Sequence, residues 1–226
     1  MQASDYNLTR KLVAEMIGTG FLLASIVGSG IMVERTAGGN QALALLGSTL
    51  STGALLIVLI LMFMPISGAH FNPAVSLAFL IRGSISKLHF VTYICAQLAG
   101  GLLGVISAHA MFAVPVLSES TIMRTGFPLW LSEIIATFGL VGVILTLLKA
   151  RPSSIPYAVG LYIAAAYWFT ASTAFANPVV TISRAFTNTT TGIQLINVFA
   201  FVSAQLTGAV LAVICFGWLL SSVKAS

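Results

Sequence analysis

Ser67-Gly68-Ala69-His70-Phe71-Asn72-Pro73-Ala74-Val75 and Ala174-Phe175-Ala176-Asn177-Pro178-Val179-Val180 are two related stretches of this chain. Each is moderately apolar, each holds an Asn-Pro pair, and each is too short to cross a bilayer, so each reads as a re-entrant hairpin. Proline at the first helical position loses no hydrogen bond, and the asparagine before it can accept from free backbone amides. Asn72 and Asn177 therefore read as N-caps of two short helices.

Working outward, the 226 residues are 58% hydrophobic and only 7% charged. A soluble domain of this size could not bury that much apolar surface. A helix needs about 20 apolar residues to span the hydrocarbon core. Six stretches qualify, roughly 12 to 33, 43 to 65, 88 to 112, 129 to 148, 156 to 172 and 195 to 220. The polar start runs straight into the first of them with no small-residue cleavage pattern, so the first span is expected to be retained. Cys95 and Cys215 fall inside spans and read as packing residues, not a disulfide.

The net charge of +5 does not form a patch, which argues against nucleic acid as a partner. It reports topology instead. With both termini cytoplasmic, Arg10, Lys11, Arg82, Lys87, Lys149, Arg151 and Lys224 lie inside, against Arg35, Arg124 and Arg184 outside.

The chain also matches itself. Glu15, Ile17, Thr19 and Leu22 recur as Glu133, Ile135, Thr137 and Leu140, and Gln97, Leu98, Gly100 and Leu103 recur as Gln205, Leu206, Gly208 and Leu211. Asn72-Pro73 recurs as Asn177-Pro178 between them. Two repeats are expected, about 10–113 and about 128–222, forming one channel domain. Three spans per repeat is an odd number, so the second repeat enters the membrane inverted and the two Asn-Pro segments face each other.

Irregular backbone at mid-membrane is tolerated only where it lines a polar cavity or is buried in protein. The expected path has Asn72, Pro73, Ala74, Asn177, Pro178 and Val179 at its centre. The carbonyls of Gly68, Ala69, His70 and Phe71 on one side, and of Thr173, Ala174, Phe175 and Ala176 on the other, form ladders of acceptors. Two helix N-termini, each worth about half a positive charge, converge on the centre and oppose cations. Neutral solutes are expected to pass.

At this point Ser67-Gly68-x-His70-Phe71-Asn72-Pro73-Ala74-Val75, Ala14-Glu15-x-x-Gly18-Thr19 and Gln97-x-x-Gly100 resemble the aquaporin and aquaglyceroporin family over about residues 12 to 220. The resemblance implies an all-α membrane protein with six spanning helices, two re-entrant half-helices and an inverted repeat. It also implies a pore in each subunit of a homotetramer, set in a lipid bilayer. In the family, the glutamates matching Glu15 and Glu133 brace the re-entrant loops. A proton relay is the other role open to intramembrane carboxylates. His70 reads as a wall residue of the inner constriction, with titration as a gate the alternative.

Family water pores narrow where an arginine three residues after the second asparagine faces an aromatic on the second span. Here those filter positions are Val180 and Thr52. A third is Ala174. The fourth is Ala165 by an ungapped count or Tyr167 when anchored on Gly160. Val179 also departs from the family's usual Asn-Pro-Ala. A filter without arginine is wider and less polar, and with Arg184 beyond it the pattern resembles the aquaglyceroporins of bacterial arsenic operons. Those pass arsenite and methylated arsenicals; water, glycerol and urea would suit the same hole. Arg184 lies four residues past Val180 on the same helix face, about 6 Å further out. It reads as an outer-vestibule group, the alternatives being snorkelling or pairing with Glu34 or Glu119.

A secondary transporter shares the inverted-repeat architecture but needs ion-ligating groups that the central segments lack. No nucleophile–base pair appears, and His70, His89 and His109 have unrelated spacings, so neither an enzyme nor a metal or cofactor site is expected. Trp130, Trp168 and Trp218 fall near span ends and fit an interfacial belt. A bacterial inner membrane is the expected location.

Overall fold

The computed structural model describes residues 6–221; the inside charge assigned to Lys224 lies outside them. Every regular element among these residues is helical: α1 (Leu8–Thr36), α2 (Gln41–Ser67), α3 (Pro73–Ile81), α4 (Lys87–Phe112), α5 (Phe127–Ala150), α6 (Ile155–Phe169), α7 (Pro178–Arg184) and α8 (Leu195–Leu219). Local signals set the starts. Asn7, Asn40 and Ser86 each accept a backbone amide three residues on, at the heads of α1, α2 and α4.

Five helices, α1, α2, α4, α5 and α8, are long and apolar enough to cross a membrane. The expected fifth span, 156 to 172, ends three residues earlier than the sequence suggested: α6 has 15 residues and stops at Phe169. At 1.5 Å per residue that is about 22 Å, short of the roughly 30 Å hydrocarbon core. The physical reason lies in the next segment. Thr170 leaves the helix in extended conformation, and the chain turns inward toward Asn177. A single turn of 3-10 helix, Pro152–Ser154, lengthens the other end.

Glycines seat the long helices against one another. A Cβ on Gly100 or on Gly104 would collide with the backbone of α1, at the Met16 and Gly20 carbonyls respectively. A Cβ on Gly208 would meet the Ile134 carbonyl of α5 in the same way. Membrane helices associate through such close approaches because lipid supplies little hydrophobic drive between them. Pair α1–α4 thus has its counterpart in α5–α8.

The exterior is apolar, with Phe21, Leu50, Phe199 and Ile196 all exposed. Cys95 and Cys215 are exposed on this surface too, which corrects their expected packing role. They sit in helices as expected but on the outward faces. Trp168 and Trp218 are also exposed. Polar side chains lie inside instead: Glu15, Gln97, Glu133 and Gln205 are 0% exposed.

Candidate functional site

The two segments between long and short helices run through the middle of the bundle with the same backbone path. Ala69 and Phe71 have φ of 51° and 49°, and Ala174 and Ala176 have φ of 46° and 48°. Thr173 (60°) answers Gly68 (89°). Left-handed conformations cost side-chain-bearing residues about 1–2 kcal/mol each, so a matched set needs a surrounding structure that enforces it.

Two buried carboxylates do the enforcing. Glu15 accepts from the amides of His70 (2.9 Å) and Phe71 (2.7 Å), from Ser67 Oγ (2.7 Å) and from Gln97 Nε2 (2.8 Å). Glu133 accepts from the amides of Phe175 (2.9 Å) and Ala176 (2.8 Å) and from Gln205 Nε2 (2.6 Å). Each glutamine amide also reaches the following short helix, Gln97 at Ser76 Oγ and Gln205 at Thr181 Oγ1. The chain of carboxylate, glutamine and hydroxyl is built twice.

The tips of the hairpins meet. Asn72 Nδ2 donates to the Ala176 carbonyl and Asn177 Nδ2 to the Phe71 carbonyl, both at 2.8 Å. Their Oδ1 atoms cap the short helices, Asn72 accepting from the Ala74 amide (2.8 Å) and Asn177 from the Val179 amide (3.0 Å). Of the expected central residues, only Asn72 and Asn177 line the cavity. Pro73, Ala74, Pro178 and Val179 are buried but absent from its wall, because they are the first-turn positions by which α3 and α7 pack into the protein. Val179, branched where alanine was expected, is accommodated by Gly101, whose Cβ would crowd Val179 Cγ1.

One cavity, about 890 Å³ of empty space with its mouths included, runs past these tips. One wall is apolar, with Leu22, Ile26, Leu56, Ile60, Leu140 and Ile144 among its residues. The other wall is formed by Gly68, Ala69, His70, Phe71 and Asn72, and by Ala174, Phe175, Ala176 and Asn177. Thr173 does not line it; its amide donates to the Thr170 carbonyl in the turn that leaves α6. The lining reaches Leu148 and Ile155 at the face where α1 begins and α8 ends, and Thr52, Tyr167 and Arg184 at the opposite, distal face.

Thr52, Tyr167, Ala174 and Val180 line the same cavity. Tyr167 Oη donates to Thr52 Oγ1 across it at 3.4 Å, whereas Ala165 points outward on the exposed side of α6. Arg184 is 4% exposed and lines the cavity as well. Its Nε donates to the Thr191 carbonyl, and its guanidinium carbon stacks 3.4 Å from the centre of the Phe175 ring. It is therefore neither snorkelling nor paired with Glu34 or Glu119. His70 sits with its Nδ1 3.0 Å from Ser76 Oγ, against the rings of Phe79 and Tyr93.

A sequence model described as Major intrinsic protein matches residues 2–167. The chain belongs to the major intrinsic protein family. Like other members of that family of channels, it is not an enzyme. It is 49% identical over 220 residues to aquaglyceroporin AqpS of Rhizobium meliloti (strain 1021), covering 97% of this chain and 94% of that protein. It is 33% identical over 96 residues, 42% of this chain and 41% of the relative, to aquaporin Z of Photorhabdus laumondii. The fold resembles the X-ray structure of the aquaglyceroporin from Plasmodium falciparum with a TM-score of 0.71 at 22% identity, over 96% of this chain and 97% of that one. The match to the family model stops at residue 167, ahead of the segment that carries Asn177 and Arg184.

Several polar groups of this family member were not legible in advance. Arg124, expected only as an outside charge, donates to the carbonyls of Gly192 (2.8 Å) and Thr190 (3.1 Å) and lies 5.0 Å from the Phe175 ring centre. Ser67 and Ser172 each accept the amide two residues on, at 3.0 and 3.2 Å. The serine pair carries the same spacing of 105 residues as the asparagines, a signal that was available in the sequence.

Proposed function

We propose that this chain is a passive channel for small uncharged solutes: water, glycerol-like polyols, and neutral arsenic species such as arsenite or methylated arsenicals. The observation that carries the reading is the composition of the distal constriction. Isopropyl and hydroxyethyl groups, from Val180 and Thr52, share it with Ala174 and Tyr167, and the Arg184 guanidinium in the same wall is held flat on Phe175. An apolar wall opposite a ladder of carbonyls and amides suits a solute with a hydrocarbon or metalloid face and hydroxyls on the other side. At the centre the Asn72 and Asn177 amides and the starts of α3 and α7 present positive potential to the lumen, which opposes cations. This is the established electrostatic logic of aquaporin-type pores.

Arg184 still faces the lumen, and this favours a second, narrower reading as a plain water and glycerol pore. Flux into liposomes of water, glycerol, arsenite and methylated arsenicals separates the two readings, using wild type and Val180→Arg. The arginine is expected to reduce the larger solutes more than water. Equal losses for every solute would put the constriction elsewhere. We further infer a homotetramer with one lumen per subunit, in a bacterial inner membrane with both termini cytoplasmic. The support for that orientation is the charge distribution: Arg10, Lys11, Arg82, Lys87, Lys149 and Arg151 lie at the end of the bundle where α1 begins and α8 ends.

A further inference from the structure

The segment between α7 and α8 contains threonine at every second position from 187 to 191. These three hydroxyls form one chain. Thr191 Oγ1 lies 2.9 Å from Thr189 Oγ1, and Thr189 Oγ1 lies 3.1 Å from Thr187 Oγ1. Thr187 Oγ1 ends the chain 2.7 Å from Nε2 of His109, in the last turn of α4. At the other end, the main-chain carbonyl of Thr191 receives the Nε–H of Arg184. The hydroxyl chain and the backbone of Thr191 together therefore join a long helix to the guanidinium that lines the lumen.

The path is built into the protein interior. Thr187 is 0% and His109 1% exposed. Gly30 of α1 leaves the space taken by Thr191 Cγ2, which a Cβ there would overlap. Hydroxyls donate once and accept twice, so a run of them can hold one direction end to end. Threonine side chains are also stiff about χ1, so fixing the hydroxyls fixes the backbone that carries the Thr191 carbonyl. Among the described residues, the two Nη groups of Arg184 make no hydrogen bond to protein, leaving them able to meet a solute hydroxyl.

We propose that the chain His109–Thr187–Thr189–Thr191 positions the Arg184 guanidinium at the distal constriction and thereby sets the preference of the channel for polyols over water. This rests on the reading of that constriction given under the proposed function. His109 and the threonines act through Arg184 and are positioning residues; none of them touches the solute.

The test is the ratio of glycerol to water permeability in proteoliposomes, a quantity independent of how much protein is reconstituted. Arg184→Ala removes the donor and is expected to lower the ratio about two- to tenfold, the range for losing one hydrogen bond. Thr187→Val and, at a less buried site, Thr189→Val break the chain while keeping the branched shape, and are expected to lower the ratio in the same direction. Thr187→Ser retains the hydroxyl and should restore the wild-type ratio. Thr189→Val added to Arg184→Ala should lower the ratio no further, because both act on one group. If Arg184→Ala lowers the ratio while both valine variants leave it at the wild-type value, the positioning role is overturned and the constriction stands. An additive double variant overturns it too. A wild-type ratio in Arg184→Ala removes Arg184 from the constriction, and the chain loses its purpose with it.

Discussion

The hairpin that ends at Asn72 and the one that ends at Asn177 share a scaffold and differ in what they show the lumen. Both hang from a buried glutamate and glutamine, both use left-handed residues in the same order, and both finish in an asparagine that crosses to the other hairpin. Where the first carries His70, held between Phe79 and Tyr93, the second carries Phe175, approached by Arg184 and Arg124. The backbone solution is symmetric while the two mouths are chemically separate. One is lined by an imidazole among rings, the other by an aromatic ring under guanidinium groups.

Breaking the scaffold should have the largest effect. Glu15→Ala strands two backbone amides, a serine and a glutamine inside the protein, each worth about 1–3 kcal/mol when left unpaired. Thermal unfolding in detergent should show it as severely destabilised. Glu133→Ala, which strands the matching serine, glutamine and two amides of the second hairpin, should be damaged to a similar degree, and a much smaller loss would contradict the shared scaffold. Next comes Gly208→Leu, which drives a side chain into the Ile134 backbone. It should cost about 1–3 kcal/mol or more by the same measurement, with Gly100→Leu its counterpart at Met16.

Asn72→Ala and Asn177→Ala each remove one crossing hydrogen bond and one cap, and should each cost about 1–2 kcal/mol. Similar losses would confirm that the tips are equivalent. Phe175→Leu removes the ring beneath Arg184, an interaction worth about 0.5–2 kcal/mol. It should change glycerol flux more than water flux, whereas His70→Phe at the other mouth should leave the ratio nearer wild type. The smallest effect expected is a gain: Ala69→Gly and Ala174→Gly relieve left-handed backbone and should each stabilise by up to about 1 kcal/mol.

Much of the symmetric part was legible because it is written in covalent neighbours and repeated spacing. Pro73 and Pro178 announce helix starts, Asn72 and Asn177 announce caps, and Glu15 with Gln97 returns as Glu133 with Gln205. The end of α6 was not legible, since Thr170-Ala171-Ser172-Thr173 holds no proline or glycine and only the inward turn at Thr170 ends the helix. Counting along the chain left Ala165 and Tyr167 as alternatives. Residues two apart on a helix face different ways, so the rotation of α6 separates them, putting Tyr167 in the wall and Ala165 outside.

Arg184 marks the boundary between the two kinds of information. Its helical offset from Val180 put it on the lumen side from sequence alone, because 3.6 residues per turn is a property of the backbone. Whether its long side chain would run out to headgroups, meet an acid or fold inward depended on partners distant in the chain. Phe175, Thr191 and the turn around them are brought together only by the packing of α1, α4 and α7. Amphipathic character, capping and inverted repetition are local physics and were determined by the sequence itself. The direction of a flexible charged side chain, and with it the chemistry of the distal mouth, was decided by tertiary structure.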